Sequence, residues 1–374
     1  MIIHCTKKLQ DQLKLKPETV EEESPLISWH ANLLIIDRKK TLVLVNDKNR
    51  YVLVLYGLLA KDFKNLDHLI VQAIRRTFQQ EGIKEDVIEK YLETAGDFTY
   101  TKTSDRKLVA RMNKACELVY SFADLIDVDS IEQPALGYRL SRFLVGDGKK
   151  DYFHPNKAMY EDLEELIGLP IFQTTAYELT ITLQLQSNNV YRKVIVPANF
   201  SFARLHHVIQ TAFGWQDEHL HEFYILSNEK TNNPYFKHNP VFAGGYKPLA
   251  NLVSAEEAFE FRKSDIPMAM DDSVILSQFL PGKITYVYDY GDTWIHHIKV
   301  ERILEDYDKN YATCTAGEGK TPPEDVGGEG GYEYLLEVLA DKHHEDYKHM
   351  RVWSESQGYK DFNIEMVNRS LTYK

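Results

Sequence analysis

Residues 314–332 read CTAGEGKTPPEDVGGEGGY and form the most glycine-rich stretch of the 374-residue chain. Glycine loses more conformational entropy on folding than any other residue, and proline has no amide donor for a helix or strand. Two adjacent prolines, Pro322 and Pro323, come directly before the acidic pair Glu324 and Asp325. This composition predicts a shaped loop rather than a regular helix or strand, and such loops often carry function.

The length and composition of the chain indicate two domains. It has 374 residues, of which 43% are hydrophobic and 12% aromatic, so each domain has enough apolar side chains for a core. No apolar run reaches the roughly 18 residues that a membrane span needs. The N-terminus shows no charged region followed by an apolar one, so we expect no secretory signal. Three widely spaced cysteines, Cys5, Cys116 and Cys314, favour reduced thiols in a cytoplasmic protein.

The charge is unevenly distributed along the chain. Residues 1–172 carry 25 basic and 27 acidic side chains, whereas residues 173–374 carry 19 basic and 29 acidic ones. The second half therefore holds most of the net charge of −12. Because an acidic surface repels phosphate backbones, nucleic acid is disfavoured as a partner, whereas a protein or peptide partner is compatible with this charge.

The first half predicts an α+β domain over residues 1–150. Apolar runs at 33–36, 41–46 and 51–56 predict strands that are covered on both faces. Apolar residues then recur at three- and four-residue spacing from Phe63 to Phe78, which predicts an amphipathic helix.

A capped helix is predicted in the region of residues 104–113, with Ser104 or Asp105 accepting the free amide donors. Together with residues 29–32 (WHAN) and the paired strands, this segment resembles a bacterial domain of unknown function that precedes other modules. The resemblance covers most of residues 1–150 and implies no activity.

Glycines and prolines between residues 146 and 172 predict a linker at 151–175. After it, residues 177–185 and 190–196 alternate apolar and polar side chains, and an asparagine-rich turn joins them. Ser201 predicts the cap of a helix that ends at Gly214. This strand–turn–strand–helix order is typical of a β-grasp-like opening. We therefore predict an α+β fold with two domains, each a mainly antiparallel sheet packed with helices.

Further elements are predicted in the second domain. Residues 219–226, 284–288 and 294–304 read as strands, with a turn at 289–293 between the last two. The DDS sequence at 271–273 predicts the cap of a further helix.

Several ordered blocks of the second half carry a family resemblance. They are LHHVIQTAFGW at 205–215, HLHEF at 219–223, YDYGDTW at 288–294, PPED with GG at 322–328, and Trp353 with Val367 and Asn368. Over residues 176–374 the chain resembles the plasmid pRiA4b ORF-3-like family, which is sometimes associated with mobile elements. The resemblance implies an α+β fold and no established reaction. Family members often carry cysteines where this chain has Thr321 and Val326, so we expect no cysteine-rich metal cluster.

A metal site is one functional hypothesis, with His219 and His221 as its candidate ligands. Residues two apart on a strand face the same way, so both histidines can reach one ion. The HExxH motif is absent, because the histidine after His344 and Glu345 comes at 349, one position late. Histidines on strands are more often satisfied by hydrogen bonds. The prediction is therefore no bound metal or other cofactor.

Acid–base catalysis is a second hypothesis, because two neighbouring carboxyl groups can differ in pKa when one is buried. The candidate catalytic residues are Asp289, Asp292, Glu324 and Asp325. Carboxylates in glycine-rich turns more often accept backbone amide donors. Cys314 as a nucleophile is disfavoured by its acidic surroundings, and the glycines lack the GxxxxGK[ST] spacing of a phosphate-binding loop.

A binding surface is the third hypothesis, in which aromatic side chains beside the acidic loop line a groove. The candidate binding residues are Trp215, Tyr288, Tyr290, Gly291, Trp294, Pro322, Pro323, Gly327 and Gly328. We predict a non-catalytic binding or protein-interaction module. The alternative is a metal-dependent or carboxylate-based hydrolase with its site at the turn 289–294 and the loop 322–328. A DNA-associated accessory protein of a mobile element is disfavoured by the acidic second half.

Overall fold

A computed structural model describes residues 1–16, 24–103, 105–146, 151–242, 244–261 and 265–372. The chain divides into two compact units, Met1–Gln173 and Thr174–Lys374. Both units combine helices with a sheet, which confirms the predicted α+β class. No described helix combines the length and the apolar character that crossing a bilayer requires.

The first unit is built on a five-stranded sheet. Its described elements are β1 (Ile2–Cys5), α1 (Lys7–Leu13), β2 (Ser28–Ile36), β3 (Lys39–Asn46), β4 (Val52–Leu58), α2 (Leu66–Gln80), α3 (Glu85–Ala95), β5 (Thr99–Lys102), α4 (Arg106–Ser121), α5 (Pro134–Leu140), β6 (Val145–Gly146), β7 (Tyr152–Phe153) and α6 (Pro155–Ile167). The strand order is β4-β3-β2-β1-β5. β2, β3 and β4 pair antiparallel as predicted, but β1 runs parallel to both β2 and β5. This sheet is therefore mixed. The parallel pairing of β1 with β2 needs a crossover connection, and α1 is part of it.

Both faces of the first sheet are covered, as the dense apolar runs predicted. On β3, Leu42 and Leu44 belong to one buried cluster, and Val43 and Val45 to another on the opposite face. The first cluster includes side chains of α2, α3 and α6, and the second those of α4 and α5. Period-two alternation alone sorts these residues between the two faces.

Two predictions in the first unit meet different outcomes. Asp105 caps α4, because its Oδ1 accepts the amides of Lys107 at 2.6 Å and Leu108 at 3.2 Å. Ser104, the other candidate cap, lies outside the described residues. The predicted linker at 151–175 instead contains α6, whose Met159 and Leu163 are fully buried in the core of the first unit.

The second unit is built on an eight-stranded sheet. Its described elements are β8 (Thr174–Leu183), β9 (Val190–Pro197), α7 (Phe202–Phe213), β10 (His221–Lys230), α8 (Pro234–His238), β11 (Tyr246–Val253), α9 (Ala258–Phe261), β12 (Met268–Met270), β13 (Lys283–Tyr288), β14 (Trp294–Tyr307), β15 (Thr313–Glu318), α10 (Gly328–Ala340), α11 (Tyr347–Ser356) and α12 (Ile364–Leu371). The strand order is β12-β11-β10-β13-β14-β8-β9-β15. All pairs are antiparallel except β11 with β12. The predicted opening, β8–turn–β9–α7, is present.

α7 begins and ends where the sequence predicts. The Ser201 hydroxyl accepts the Arg204 amide at 3.2 Å, and Gly214 ends the helix in the left-handed region. Phe202 and Leu205 on α7 are fully buried, in one cluster with Phe223 and Tyr286 of the sheet. The helix thus covers the sheet face on which the candidate site lies.

The helix predicted after residues 271–273 does not form. Residues 271–273 and 276–278 make single 3₁₀ turns instead. The amides of Leu276 and Ser277 donate to the carbonyls of Phe200 and Ala198, which are part of the segment before α7. These tertiary hydrogen bonds replace the ones that an α-helix would need.

The glycine-rich stretch is only partly a loop, so the prediction of an irregular segment throughout was wrong. β15 takes its first part and pairs with β9, and α10 begins at Gly328. Gly317 fits the strand because a Cβ there would lie 2.7 Å from the Phe362 ring and 2.8 Å from Arg192 Cδ. The space that a side chain would need is thus already filled. Residues 319–327 remain the irregular part.

Candidate functional site

The centre of the glycine-rich stretch lies against the turn between β13 and β14. We call residues 322–328 the clasp and residues 289–293 the Asp289 turn. The Gly327 amide donates to Asp292 Oδ2 at 3.1 Å, which joins the clasp to the turn. Asp289 Oδ1 accepts the amides of Gly291 at 2.8 Å and Asp292 at 3.3 Å, so it shapes the turn itself.

Glu324 anchors the clasp in the interior of the unit. It is only 2% exposed, and it accepts the Tyr288 hydroxyl and the Gln216 amide, the latter at 3.2 Å from each carboxylate oxygen. The Tyr288 oxygen also accepts the Glu218 amide at 3.1 Å. Burial, reinforced by the hydrogen bond to Glu324, raises the pKa of Tyr288 above its ordinary value. This hydroxyl therefore stays protonated and joins the clasp to the segment before β10.

Three side chains meet beside this anchor. His219 Nε2 lies 3.2 Å from Asp325 Oδ1 and 3.6 Å from Asp289 Oδ2. The His219 Nε2 atom is buried and makes no hydrogen bond of acceptable geometry within the described residues. The fold thus brings together three residues that are up to 106 positions apart in the sequence, and they offer one imidazole and two carboxylates.

His221 does not share this cluster, so the predicted pairing of His219 with His221 was wrong. The Nε2 atom of His221 bonds to Asp271 Oδ2 at 2.7 Å. β10 begins only at His221, so His219 lies before the strand and the alternation rule does not apply to it.

His221 is stacked instead on His206, a residue that the sequence analysis did not select. The ring centroids are 3.4 Å apart and the planes differ by 6°. His206 bonds through Nδ1 to the Tyr286 hydroxyl at 2.8 Å and through Nε2 to Asp217 Oδ1 at 2.6 Å. Burial lowers the pKa of His206 to about 3, so the imidazole stays neutral at neutral pH. The sequence could have indicated that His206 is buried, because position 206 falls on the apolar face of α7 together with 202, 209 and 213.

The predicted aromatic groove is instead part of the core. Trp215, Tyr288 and Trp294 are buried, and only Tyr290 among the four aromatic candidates is exposed. Tyr288 and Trp294 are direct partners in the β13–β14 register. Cross-strand partners face the same side of a sheet, and this side packs under α7.

A cavity of about 250 Å³ lies beside the two prolines of the clasp. It includes three candidate binding residues, Trp215, Pro322 and Pro323. The rest of its lining comes from Arg192, Thr321, the end of α7 with Gly214, residues 357–363, and Met366, Val367 and Ser370 of α12. None of the four candidate catalytic carboxylates lines it.

Arg192 lines this cavity and joins the end of β15 to the loop that follows it. It is buried, and all five of its N–H groups donate to protein oxygens between 2.7 and 3.1 Å: the carbonyls of Ala212, Tyr191, Glu318 and Gly319 and the Thr321 hydroxyl. Its guanidinium carbon lies 4.2 Å from the centre of the Phe362 ring. Burial lowers the pKa of Arg192 to about 10, which leaves it charged at neutral pH.

Arg192→Lys should reduce the free energy of unfolding of the second unit by about 2 kcal/mol, because an ammonium has three donors and leaves buried carbonyls unpaired. Urea denaturation followed by tryptophan fluorescence measures the loss. Arg302→Lys, at an exposed arginine paired with Glu178, is the control and should cost less than about 0.5 kcal/mol. Equal losses in the two variants would contradict this role for Arg192.

Cys314 has a structural position. It is buried, its amide donates to Asn368 Oδ1 at 2.7 Å, and burial raises the pKa of its thiol to about 11. A thiol in this state is a poor nucleophile at neutral pH.

Comparisons with known proteins agree with this two-part organisation. A family model described as "Plasmid pRiA4b ORF-3-like protein" matches residues 175–371, and one described as "Domain of unknown function (DUF6933)" matches residues 2–158. An uncharacterized protein y4hQ of Sinorhizobium fredii is 30% identical over 195 residues, which cover 52% of this chain and 89% of that protein. A protein of unknown function from Methanosarcina mazei Go1, MM3350, has a crystal structure that is 29% identical, with a TM-score of 0.39; the match covers 51% of this chain and 96% of that one. Both resemblances predicted from the sequence are thus confirmed, and the chain belongs to the plasmid pRiA4b ORF-3-like family.

Proposed function

We propose that the second unit is a non-catalytic binding module that takes one apolar side chain of a peptide into the cavity beside Pro322 and Pro323. The cavity itself is the observation that supports this function. At about 250 Å³ it is smaller than the roughly 300–1,000 Å³ of most small-molecule sites. It therefore fits a single side chain better than a cofactor or nucleotide.

The walls of the cavity favour an aromatic side chain next to a carboxylate. Trp215, Phe362 and Met366 offer apolar contact, and tryptophan and tyrosine anchors are the usual centres of protein interfaces. The N–H groups of Arg192 donate to four carbonyls and one hydroxyl, and no carboxylate of the described residues pairs with it. Among the described residues its charge is balanced by carbonyl dipoles, one hydroxyl and aromatic rings, so a nearby carboxylate on the ligand is stabilised by the charge itself, without a hydrogen bond.

N-acetyltryptophan should therefore bind in the cavity, at millimolar concentration because the probe is small. In protein labelled with ¹³C at the methionine methyls, the Met366 signal should shift and saturate, while those of Met112 and Met159 in the first unit stay in place. The neutral N-acetyltryptophanamide should bind more weakly than the acid.

Ser370→Trp fills the cavity from α12 and should abolish the Met366 shift. Lys299→Trp, which places the same side chain on an exposed position of β14, should leave the shift unchanged. A Met366 signal that never saturates, or one that still shifts in Ser370→Trp, would exclude this cavity as the binding site.

A hydrolase remains the second candidate function, and the meeting of His219, Asp289 and Asp325 favours it. Two of the four candidate carboxylates have structural roles, since Glu324 anchors the clasp and Asp292 accepts the Gly327 amide. Hydrolysis of p-nitrophenyl phosphate or acetate by the purified protein, lost in Asp325→Asn, would make this the better account. A reducing, cytoplasmic location fits both candidates, because Cys5, Cys116 and Cys314 are free and buried.

A further inference from the structure

We propose that His219, Asp289 and Asp325 form a divalent-cation site, suited to Zn²⁺, that ties the clasp to the Asp289 turn. The site is separate from the cavity of the proposed binding function. It uses one histidine and two carboxylates, which is a ligand set that zinc accepts.

The distances fit an ion better than a hydrogen bond. Ligands held at zinc's usual bond lengths in tetrahedral geometry lie roughly 3.3–3.5 Å from one another. The two distances from His219 Nε2 are 3.2 Å to Asp325 and 3.6 Å to Asp289. The nitrogen is buried and has no hydrogen bond to any of the described residues, which is costly for a polar atom unless something else binds it.

The fold brings the backbone of all three ligands together without an ion. Three residues are joined through the Tyr288 hydroxyl, and each ligand directly follows one of them in the sequence. His219 follows Glu218, Asp289 follows Tyr288, and Asp325 follows Glu324. Because the hydroxyl of Tyr288 joins Glu218 and Glu324, the backbone at the three ligands is held together. A metal site formed in advance in this way binds its ion with a smaller entropy cost.

The exposure of the ligands leaves open coordination positions. The Asp325 side chain is 58% exposed and that of His219 28%, while Asp289 lies underneath. A fourth position therefore faces solvent and can hold water or another ligand. An imidazole ligand favours zinc over magnesium or calcium, which prefer oxygen ligands alone.

The other histidine clusters do not offer the same geometry. His206 Nε2 lies 2.6 Å from Asp217 Oδ1, and His30 Nδ1 lies 2.6 Å from Asp47 Oδ1. These distances are direct hydrogen bonds, with no room for an ion between the atoms. Asp217→Asn is therefore a suitable control for a histidine-bound carboxylate that is not a ligand.

The test is equilibrium dialysis of the EDTA-treated full chain against Zn²⁺, with Co²⁺ as a spectroscopic substitute. We expect one Zn²⁺ per chain. Bound Co²⁺ should show the visible absorption that is typical of a low coordination number. His219→Gln and Asp325→Asn should each weaken binding by about 100-fold, whereas Asp217→Asn should change it less than about threefold. Asp292→Ala, which removes the acceptor of the Gly327 amide but no ligand, should also keep the ion.

Two results would overturn the proposal. One is the absence of stoichiometric Zn²⁺ in the wild-type chain. The other is binding that survives both His219→Gln and Asp325→Asn, which would assign the ion to surface histidines. Since Asp325 is exposed, its variant should keep the fold even if the His219 variant does not, and circular dichroism checks this. The outcome is independent of the Met366 titration, so the failure of one proposal leaves the other in place.

Discussion

Replacing Gly331 by alanine is expected to destabilise the second unit by about 3 kcal/mol, whereas the same change at the neighbouring Gly330 should stabilise it by about 0.5–1 kcal/mol. A Cβ on Gly331 would lie 1.8 Å from the Val326 carbonyl oxygen. No conformational adjustment of a side chain relieves this clash, because the obstacle is backbone. The clasp must move away from α10 for the alanine to fit.

Gly330 is a matched control because it lies in the same turn of α10. A Cβ there meets nothing within 4 Å, so only the entropy of the unfolded chain changes. Urea denaturation followed by the fluorescence of Trp215 and Trp294, which are buried near the clasp, measures both variants. Similar stability changes for the two alanines would show that the clasp does not pack on α10 as described.

The second large effect is expected for Glu324→Ala, with a loss of about 3 kcal/mol in the free energy of unfolding of the second unit. The change leaves the Tyr288 hydroxyl and the Gln216 amide without their acceptor in a buried place. Glu324→Gln keeps the shape and one oxygen acceptor, so it should cost about half as much.

Asp325→Asn is the control for Glu324, because the next residue along the chain is largely exposed. In metal-free protein it should cost less than about 1 kcal/mol. Asparagine also tolerates the positive φ of 58° that Asp325 adopts. If Asp325→Asn destabilised the metal-free chain more than Glu324→Ala, Glu324 would not be the anchor.

The periodicity of the sequence was sufficient for most of the fold. Alternation from Tyr177 to Leu185 and the cap at Ser201 predicted β8 and α7, because local sequence determines those elements. The helix expected after Asp271 failed for a tertiary reason, since Leu276 and Ser277 donate to a distant segment. The composition of residues 314–332 led to the wrong prediction of a loop throughout. Gly317 and Gly331 are required by close packing within a strand and a helix.

The candidate site was only partly accessible from the sequence. Asp289 and Asp325 could be selected because they stand in glycine-bearing turns, and His219 because it was predicted to lie on one strand with His221. The role of Glu324 as an anchor depends on its contact with Tyr288, and the His206–His221 stack on the docking of α7. Contacts of this kind join residues that are 15 to 36 positions apart in the sequence, and no local pattern encodes them.

The central claim is that the Tyr288 hydroxyl, bound to Glu324, holds the clasp against the Asp289 turn. Amide hydrogen exchange in Tyr288→Phe tests it most directly, because this change removes a single oxygen. Exchange at Gly327 and Gln216, whose amides donate to Asp292 and Glu324, should speed up by about tenfold or more, which corresponds to about 1.4 kcal/mol. Amides of the β8–β9 pair should be unaffected. Unchanged exchange at both Gly327 and Gln216 would contradict the account.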